Sequence, residues 1–565
     1  MQANQALECR QSGFRRRIDV WGRAFGEIVN QARRIGTALF CLLAILASAA
    51  SIASAAPSNS AQLLRIGNGP EPETLDPHRA EGVSTGNILR DLYQGLTGLA
   101  PDGSVVPAAA AAWEVSADGL DYTFHLRETA RWSNGDAVTA EDFVAGLRRS
   151  ADPATGSRYA QILSPIDNAD AVSSGRLPPE RLGVAALDAH TLHIRLQGPT
   201  LYFPGLLAHP ATFPLYRPGL QRYGRDFARP GRLVSNGAYQ LRDWVVQSQV
   251  TLVRNPYYWD DVHTAVDTVI YYPTEDLSSE LKRYRAGELD CTYAIPMSQA
   301  RWVRSLFGAE LHLAPYLGSY WYGYNLSRPP FKDSPQLRQA LSMAIDREVI
   351  ADKLLQGAAL QAYGLVPPGT WNYTPQSPPW AAWPRQRRLD EARRLYAAAG
   401  YSADHPLQLE LRYNTQEDHS RIATVIAAMW KQGLGVQTRL VNEEWKVFLQ
   451  NRRQRLQTEV FRGAWIGDYD DASAFADILR SFDGKNDEAY ANPDYDALLA
   501  QAQQQPDAAL RRGLLESAER LMLDDMPILP IYFYESKHLV KPYVAGWKDN
   551  PLDIHYSKDL RILPH

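Results

Sequence analysis

Apolar and polar positions change period repeatedly along the chain. Leu63–Gly67 has the short apolar run of a strand, and Asn87–Gly95 predicts a helix that stops at its glycine. In Tyr122–Arg127 and Thr191–Leu196 apolar and polar residues alternate, the period of a half-buried strand. Thr139-Ala140-Glu141-Asp142 has the form of a capping box and predicts a helix running toward Arg149. Val250–Val253 and Thr268–Tyr272 again predict strands. Gln336–Gln356 and Leu389–Ala399 carry apolar residues at helical spacing, the second stopped by Gly400. Leu407, Leu409 and Leu411 alternate as in a strand. Helix over Arg421–Gln432, strand over Val436–Val441, helix over Ala508–Leu523 and strand over Ile528–Tyr534 complete the pattern. This alternation predicts an α/β protein with partly parallel sheets. At 565 residues the chain is too long for one core, so it predicts several lobes.

The first residues read differently. Arg15, Arg16, Arg17, Arg33 and Arg34 precede an apolar run from Ala38 to Leu46, and Ala53-Ser54-Ala55 has the form of a cleavage site. Together these predict a signal peptide over residues 1–56, cleaved near Ala55, and export to the periplasm. The apolar run is too short for a membrane anchor. Phe40 before Cys41 argues against a lipid-modified cysteine. Taking residues 1–55 away removes seven arginines and three acids, so 52 basic and 60 acidic residues remain, a net charge of -8. That balance gives nucleic acid or an anionic membrane no hold. Cys9 and Cys41 leave with the leader, and Cys291 alone cannot form an internal disulfide or a paired-cysteine metal site.

The motifs of enzymes are thin. No phosphate-binding P-loop or H-E-x-x-H zinc motif occurs. Gly82-Val83-Ser84-Thr85-Gly86 fits the G-x-S-x-G of a hydrolase nucleophile, but the loop-like Glu73–Ala80 stands where the preceding strand should be. Asp468-Tyr469-Asp470-Asp471 lacks the remaining ligands of a calcium loop. It reads instead as one functional carboxylate with Asp470 and Asp471 as solvated neighbours. Tyr320-Trp321-Tyr322-Gly323-Tyr324 alternates aromatics on a strand, a pattern of core packing or of sugar stacking. No catalytic residue, metal site or cofactor is expected.

Several longer stretches resemble one family. They are Glu71-Pro72-Glu73-Thr74-Leu75-Asp76-Pro77-His78, Tyr122–Arg127, Trp132–Phe143, Asn236-Gly237-Ala238-Tyr239, Asn255-Pro256-Tyr257-Tyr258-Trp259, Ala344-Ile345-Asp346-Arg347 and Val441-Asn442-Glu443-Glu444-Trp445-Lys446. In order and spacing, residues 62–565 resemble the oligopeptide-binding proteins of bacterial ABC importers (solute-binding protein family 5). The resemblance implies a hinged periplasmic-binding-protein fold, two α/β lobes with an accessory domain. Lobe I would combine 57–94, 219–317 and 536–565. The accessory domain would be 95–218 and lobe II 318–535. It implies a monomer that holds short peptides between the lobes and delivers them to ABC transporter permease subunits in the inner membrane. Murein-peptide binding or peptide sensing is the alternative, and a secreted hydrolase a remote one.

The resemblance also implies a site. Asp468, after Trp465-Ile466-Gly467, would hold the peptide α-ammonium. Backbone at Ala464, Trp465 and Ile466 and at Glu81, Gly82 and Val83 would pair with the peptide as an added strand. Tyr159, Trp445 and Trp465 would line side-chain pockets, and Arg452, Arg462 and His419 would stand toward the peptide's far end. Some family members bridge two cysteines at positions that are Gly318 and Ile466 here. A family glutamate becomes Gly323 and a family lysine Leu354. Loss of the carboxylate at 323 implies a preference for uncharged or mixed peptides over lysine-rich ones.

Overall fold

The computed structural model describes residues 62–455, 458–481 and 485–565. The leader and its cleavage site lie outside them. Strand β1 (Leu63–Gly67) opens a sheet that the chain completes only much later. The motif after it is an anchor. Both guanidinium amino groups of Arg149 donate to Asp76, at 2.8 and 2.6 Å, and His78 Nε2 lies 2.9 Å from the Phe213 carbonyl oxygen. Helix α1 (Val83–Leu92) begins four residues before the predicted Asn87 and ends before Gly95. The Gly-Val-Ser-Thr-Gly run reads as loop from composition but forms the first turn. Gly82, at φ 87°, turns the chain into it, a conformation glycine takes without the clash a Cβ would bring.

Strands β2 (Ala110–Val115), β3 (Asp121–Leu126), β4 (Val184–Ala186) and β5 (Thr191–Arg195) form an antiparallel sheet in the order β2-β3-β5-β4. All of it falls between residues 95 and 218. Helix α2 (Ala140–Ala151) packs beside it. Asp142 closes the expected capping box, accepting from Thr139 N at 2.9 Å and from its Oγ1 at 3.0 Å. The chain then returns to the first sheet through β6 (Tyr239–Val245), β7 (Gln249–Arg254) and β8 (Thr268–Tyr272), in the order β1-β8-β7-β6. The β1–β8 pair is parallel. In β8 only Val269 and Tyr271 are fully buried, the period of a half-buried strand.

The third sheet is mixed. Strands β9 (Leu311–Tyr324), β10 (Ala359–Gln361), β11 (Gln408–Asn414), β12 (Gln437–Glu443), β13 (Val460–Ile466) and β14 (Ile528–Leu539) take the order β10-β14-β9-β13-β11-β12. Helices α3 (Pro335–Met343), α4 (Glu417–Leu434), α5 (Trp445–Gln454) and α6 (Ala508–Asp525) accompany it. The single helix expected over Gln336–Gln356 is broken after α3. Asp346 starts a new helical stretch by accepting from Val349 N at 3.1 Å, while the fully buried Arg347 donates to the carbonyls of Ala362, Pro530 and Ser342. Apolar spacing cannot reveal a buried arginine.

One hydrophobic core runs through the first two sheets and another through the third. β9 and β14 pair along most of their length, from Leu311 opposite Leu539 to Gly323 opposite Ile528, with a register break between Pro315 and Ser319. The expected lobe borders at 317/318 and 535/536 fall inside these two strands. Cys291 is fully buried and free. Among the described residues no helix is long and apolar enough to cross a membrane.

Candidate functional site

Strand β13 carries the site. On one edge β9 accompanies it throughout, from Gly318 opposite Ile466 to Tyr324 opposite Val460. On the other edge β11 reaches only Val460 and Phe461. Past that point the edge has no strand beside it among the described residues. A cavity of about 640 Å³ opens there, and every residue from Phe461 to Asp468 lines it. Successive side chains of a strand point to opposite faces, so both faces of β13 and the edge between them border the cavity. An edge of this kind offers its N–H and C=O groups to an extended chain.

The facing wall holds Glu81, Gly82, Val83 and Tyr159, with Arg90 and His209. The Glu81–Val83 segment was expected as a second pairing edge. It is instead the bend that starts α1, with Gly82 at φ 87° and ψ 157°. What it presents is the open N–H groups of a first helical turn.

Asp468 stands two residues beyond β13, half-buried against the cavity. Among the described residues it has no hydrogen bond or ion pair of its own. Burial pushes its carboxyl up to about 6, and the charge of Lys485 opposes the shift. The Lys485 ammonium lies 4.2 Å from the centre of the Trp465 ring. Asp470 and Asp471 are not the solvated neighbours expected. Asp471 is buried and takes both amino groups of Arg511, at 2.7 and 2.8 Å. Asp470 accepts from the Trp371 amide at 2.7 Å. These two carboxylates hold the turn, and Tyr469 just before them stacks on Tyr202 at 4.6 Å. Asp468 is left facing the cavity.

The expected cations divide. Arg452 lines the cavity but is paired with Asp487 at 2.5 Å. Arg462 lines it without a carboxylate partner among the described residues. It donates to the Tyr534 hydroxyl at 3.2 Å and lies over the Tyr320 ring. His419 is buried behind the sheet beside Tyr320, and burial followed by the charge of Arg462 drives its pKa down to about 3. The side chain of Trp445 lies outside the described residues; its backbone starts α5. Ala464, Trp465 and Ile466 all line the cavity. Trp465 Nε1 and Arg462 Nε are buried there without a hydrogen-bond partner among the described residues.

A model of family 5 of the bacterial extracellular solute-binding proteins, middle region, matches residues 104–487. The chain belongs to this family. It is 37% identical to the periplasmic oligopeptide-binding protein OppA of Escherichia coli (strain K12), across 95% of this chain and all of that one. The solved murein tripeptide-binding protein MppA of Escherichia coli superposes with a TM-score of 0.79 at 36% identity, over 90% of this chain and 99% of that one. The complex of Haemophilus influenzae OppA with RPPGFSPFR gives 0.77 at 35% identity, over 90% and 100%.

Against the family pattern, two glycines of β9 acquire a meaning. At Gly318, across from Ile466, an added Cβ would come within 2.5 Å of the Ile466 Cδ1. At Gly323 the place of a side chain is taken by a carboxylate from elsewhere: an added Cβ would meet Glu488, whose Oε1 accepts from Trp321 Nε1 at 3.0 Å. Glu488, Asp487 and Arg90 all line the cavity and were not foreseen. Glu488 and Asp487 sit in a polar loop with no periodicity to mark them. Arg90 falls on a predicted helix, where a basic residue is unremarkable.

Three other side chains have the proximity of metal ligands. His538, Asp553 and His555 bring donor atoms within 4.8 Å of one another. Their contacts fit a hydrogen-bonded ion pair. His538 Nε2 lies 2.8 Å from Asp553 Oδ1 and its Nδ1 lies 3.0 Å from the Thr292 carbonyl. Both neighbours accept, so a doubly protonated imidazole satisfies both.

Proposed function

We propose that this protein is a periplasmic receptor that captures short peptides in the cleft beside β13 and delivers them to an ABC importer. The observation that carries the reading is Asp468, without a hydrogen bond or ion pair among the described residues, at the end of an open strand edge. Main-chain pairing along β13 holds any peptide regardless of side chains, and a carboxylate at one end takes the α-ammonium that every free peptide has. Desolvating that ammonium without a partner would be costly, so the carboxylate has to be part of the site. Arg462 is suited to a negative group farther along.

Its relatives named for oligopeptide binding support this reading. Residues 1–56 act as the exported leader. Residues 57–94, 219–317 and 536–565 form one lobe and 318–535 the other, with 95–218 as accessory domain. The β9–β14 crossing serves as the hinge, and the receptor works as a monomer that docks on permease subunits. A receptor without turnover is the reading that suits Ser84, which is buried in the first turn of α1 and follows a loop, not the strand of a nucleophile elbow. The likeness to MppA supports murein peptides as a second ligand class.

The test is mass spectrometry of small molecules released on denaturing the purified protein, followed by calorimetry with what is found. Intact short peptides are expected. Release of only non-peptide ligands, or cleavage of added peptides, would overturn the reading.

A further inference from the structure

Glu488 has no role in the reading above. It is almost completely buried and lines the cavity, and its Oε1 accepts from the neutral indole N–H of Trp321. Its neighbour Asp487 is paired with Arg452, whereas among the described residues no ion pair reaches Glu488 itself. Burial of a carboxyl without a counter-charge is expensive, and core packing gives no reason to keep one here.

The space it occupies is specific. Trp321 and Gly323 stand two apart on one face of β9, and Gly463 and Phe461 lie opposite them on β13. An alanine at 323 would set its Cβ 2.4 Å from Glu488 Oε1 and 2.7 Å from the Phe461 ring. A side chain at 463 would strike the Trp321 indole at 2.3 Å. Two missing side chains thus make room for an indole and for a carboxylate that reaches in from the 485–488 loop. The acid expected to be absent at 323 is supplied by another element.

We infer that Glu488, seated over Gly323 and oriented by Trp321, is a subsite for a cationic side chain of the bound peptide, such as lysine or another diamino acid. The inference rests on the peptide reading and reverses the preference suggested by Gly323 alone. The cleft then offers two carboxyls that have no ion pair among the described residues, Asp468 for the α-ammonium and Glu488 for a second positive charge. Glu488 is held near 7 chiefly by burial; the Trp321 bond opposes the shift, and the charge of Asp487 adds to it. Arg452 on α5 opposes it as well, while Arg453 and Arg455 act on Asp487. A ligand ammonium would draw the carboxyl into its charged form, so selectivity should strengthen as pH rises through this range.

The experiment is calorimetry with alanine tripeptides carrying lysine or the uncharged norleucine at each position in turn, at pH 8 and pH 5.5. Both peptides of a pair have the α-amine, so the titration of Asp468 cancels in their ratio. At one position lysine should bind tighter than norleucine by about tenfold or more at pH 8, as a desolvated charge pair allows, and the ratio should shrink at pH 5.5. Glu488→Gln should bring the ratio toward one. If that variant does not fold, the pH dependence of the wild-type ratio decides. If neutral tripeptides bind but lysine never exceeds norleucine, this inference falls and the receptor reading stands. If no peptide binds, the receptor reading falls and takes this one with it.

Discussion

Gly318 lies directly across the β9–β13 pair from Ile466, and the end of the isoleucine side chain fills the room that the glycine leaves. The two positions behave as one unit. Opposed residues on antiparallel strands have Cα atoms about 4.5–5.5 Å apart, within the span of a disulfide. The double substitution Gly318→Cys with Ile466→Cys should therefore oxidise spontaneously in the periplasm. It should raise stability by about 2–4 kcal/mol. Thiol counting before and after reduction checks it. Gly318→Ala alone should destabilise by about 1–3 kcal/mol, because the new methyl overpacks against Ile466 and Tyr534.

Asp471 and Arg511 form a buried bidentate pair behind the Asp468 turn. Asp471→Ala would leave the guanidinium buried without its partner, at a cost of about 3–5 kcal/mol. Asp470→Ala loses one bond to the Trp371 amide and should cost about 1 kcal/mol. Urea denaturation of the three proteins measures both. Equal stability of Asp471→Ala and wild type would show that the pair does not hold the turn.

Peptide binding should weaken as pH falls through about 6, the value to which burial raises the Asp468 carboxyl. Binding an ammonium needs the ionised form, and affinity for a neutral-side-chain peptide should drop by up to about tenfold per pH unit below it. The sign for ligand-free stability is the reverse. A carboxyl raised in the folded state above its usual 3.8 favours the folded state in acid, and that contribution is lost as pH rises through about 6. Calorimetric titrations between pH 4.5 and pH 8 should show the decline in Asp468-dependent binding, and a flat profile would contradict it.

His538 and Asp553 shift in opposite directions. Burial is the largest single influence and works against both charged forms, but the partners' charges and hydrogen bonds together outweigh it, so the imidazole is raised above 6.5 and the carboxyl falls well below the usual range. The stabilisation is fully present below the ordinary histidine value of 6.5 and disappears as pH rises through the raised one. Melting temperature should therefore fall as pH rises above 6.5 and through the raised value, and His538→Gln should flatten that slope. The profile should be the same with and without a chelator if an ion pair, not a metal, joins these residues.

Much of the fold was legible because period-two alternation marks half-buried strands: β3 and β5 lie within a residue of their predicted bounds. Errors fell where a polar residue does a buried task. Asp346 and Arg347 break a helix that apolar spacing predicts as continuous, and Gly82 begins one inside a loop-like run. At the site, the order of motifs pointed to Asp468 and to β13. It could not show that Asp471 is engaged and not solvated, since pairing with Arg511 depends on a helix forty residues away. Nor could it show that Glu488 returns a carboxylate to the place of Gly323, because the residues come from distant segments and meet only when β9 and β13 pair.

The central claim is that Asp468 holds the peptide α-ammonium, and one calorimetric comparison tests it. A tripeptide with free and with acetylated N-terminus is titrated into wild type and Asp468→Ala. Removing one partner of a buried charge pair typically costs about 2–5 kcal/mol, or roughly 30- to 5,000-fold in affinity. The free peptide should lose that much on mutation, while the acetylated peptide should bind wild type poorly and lose little more. If Asp468→Ala binds the free peptide as tightly as wild type, the α-ammonium is held elsewhere and the account of the cleft is wrong.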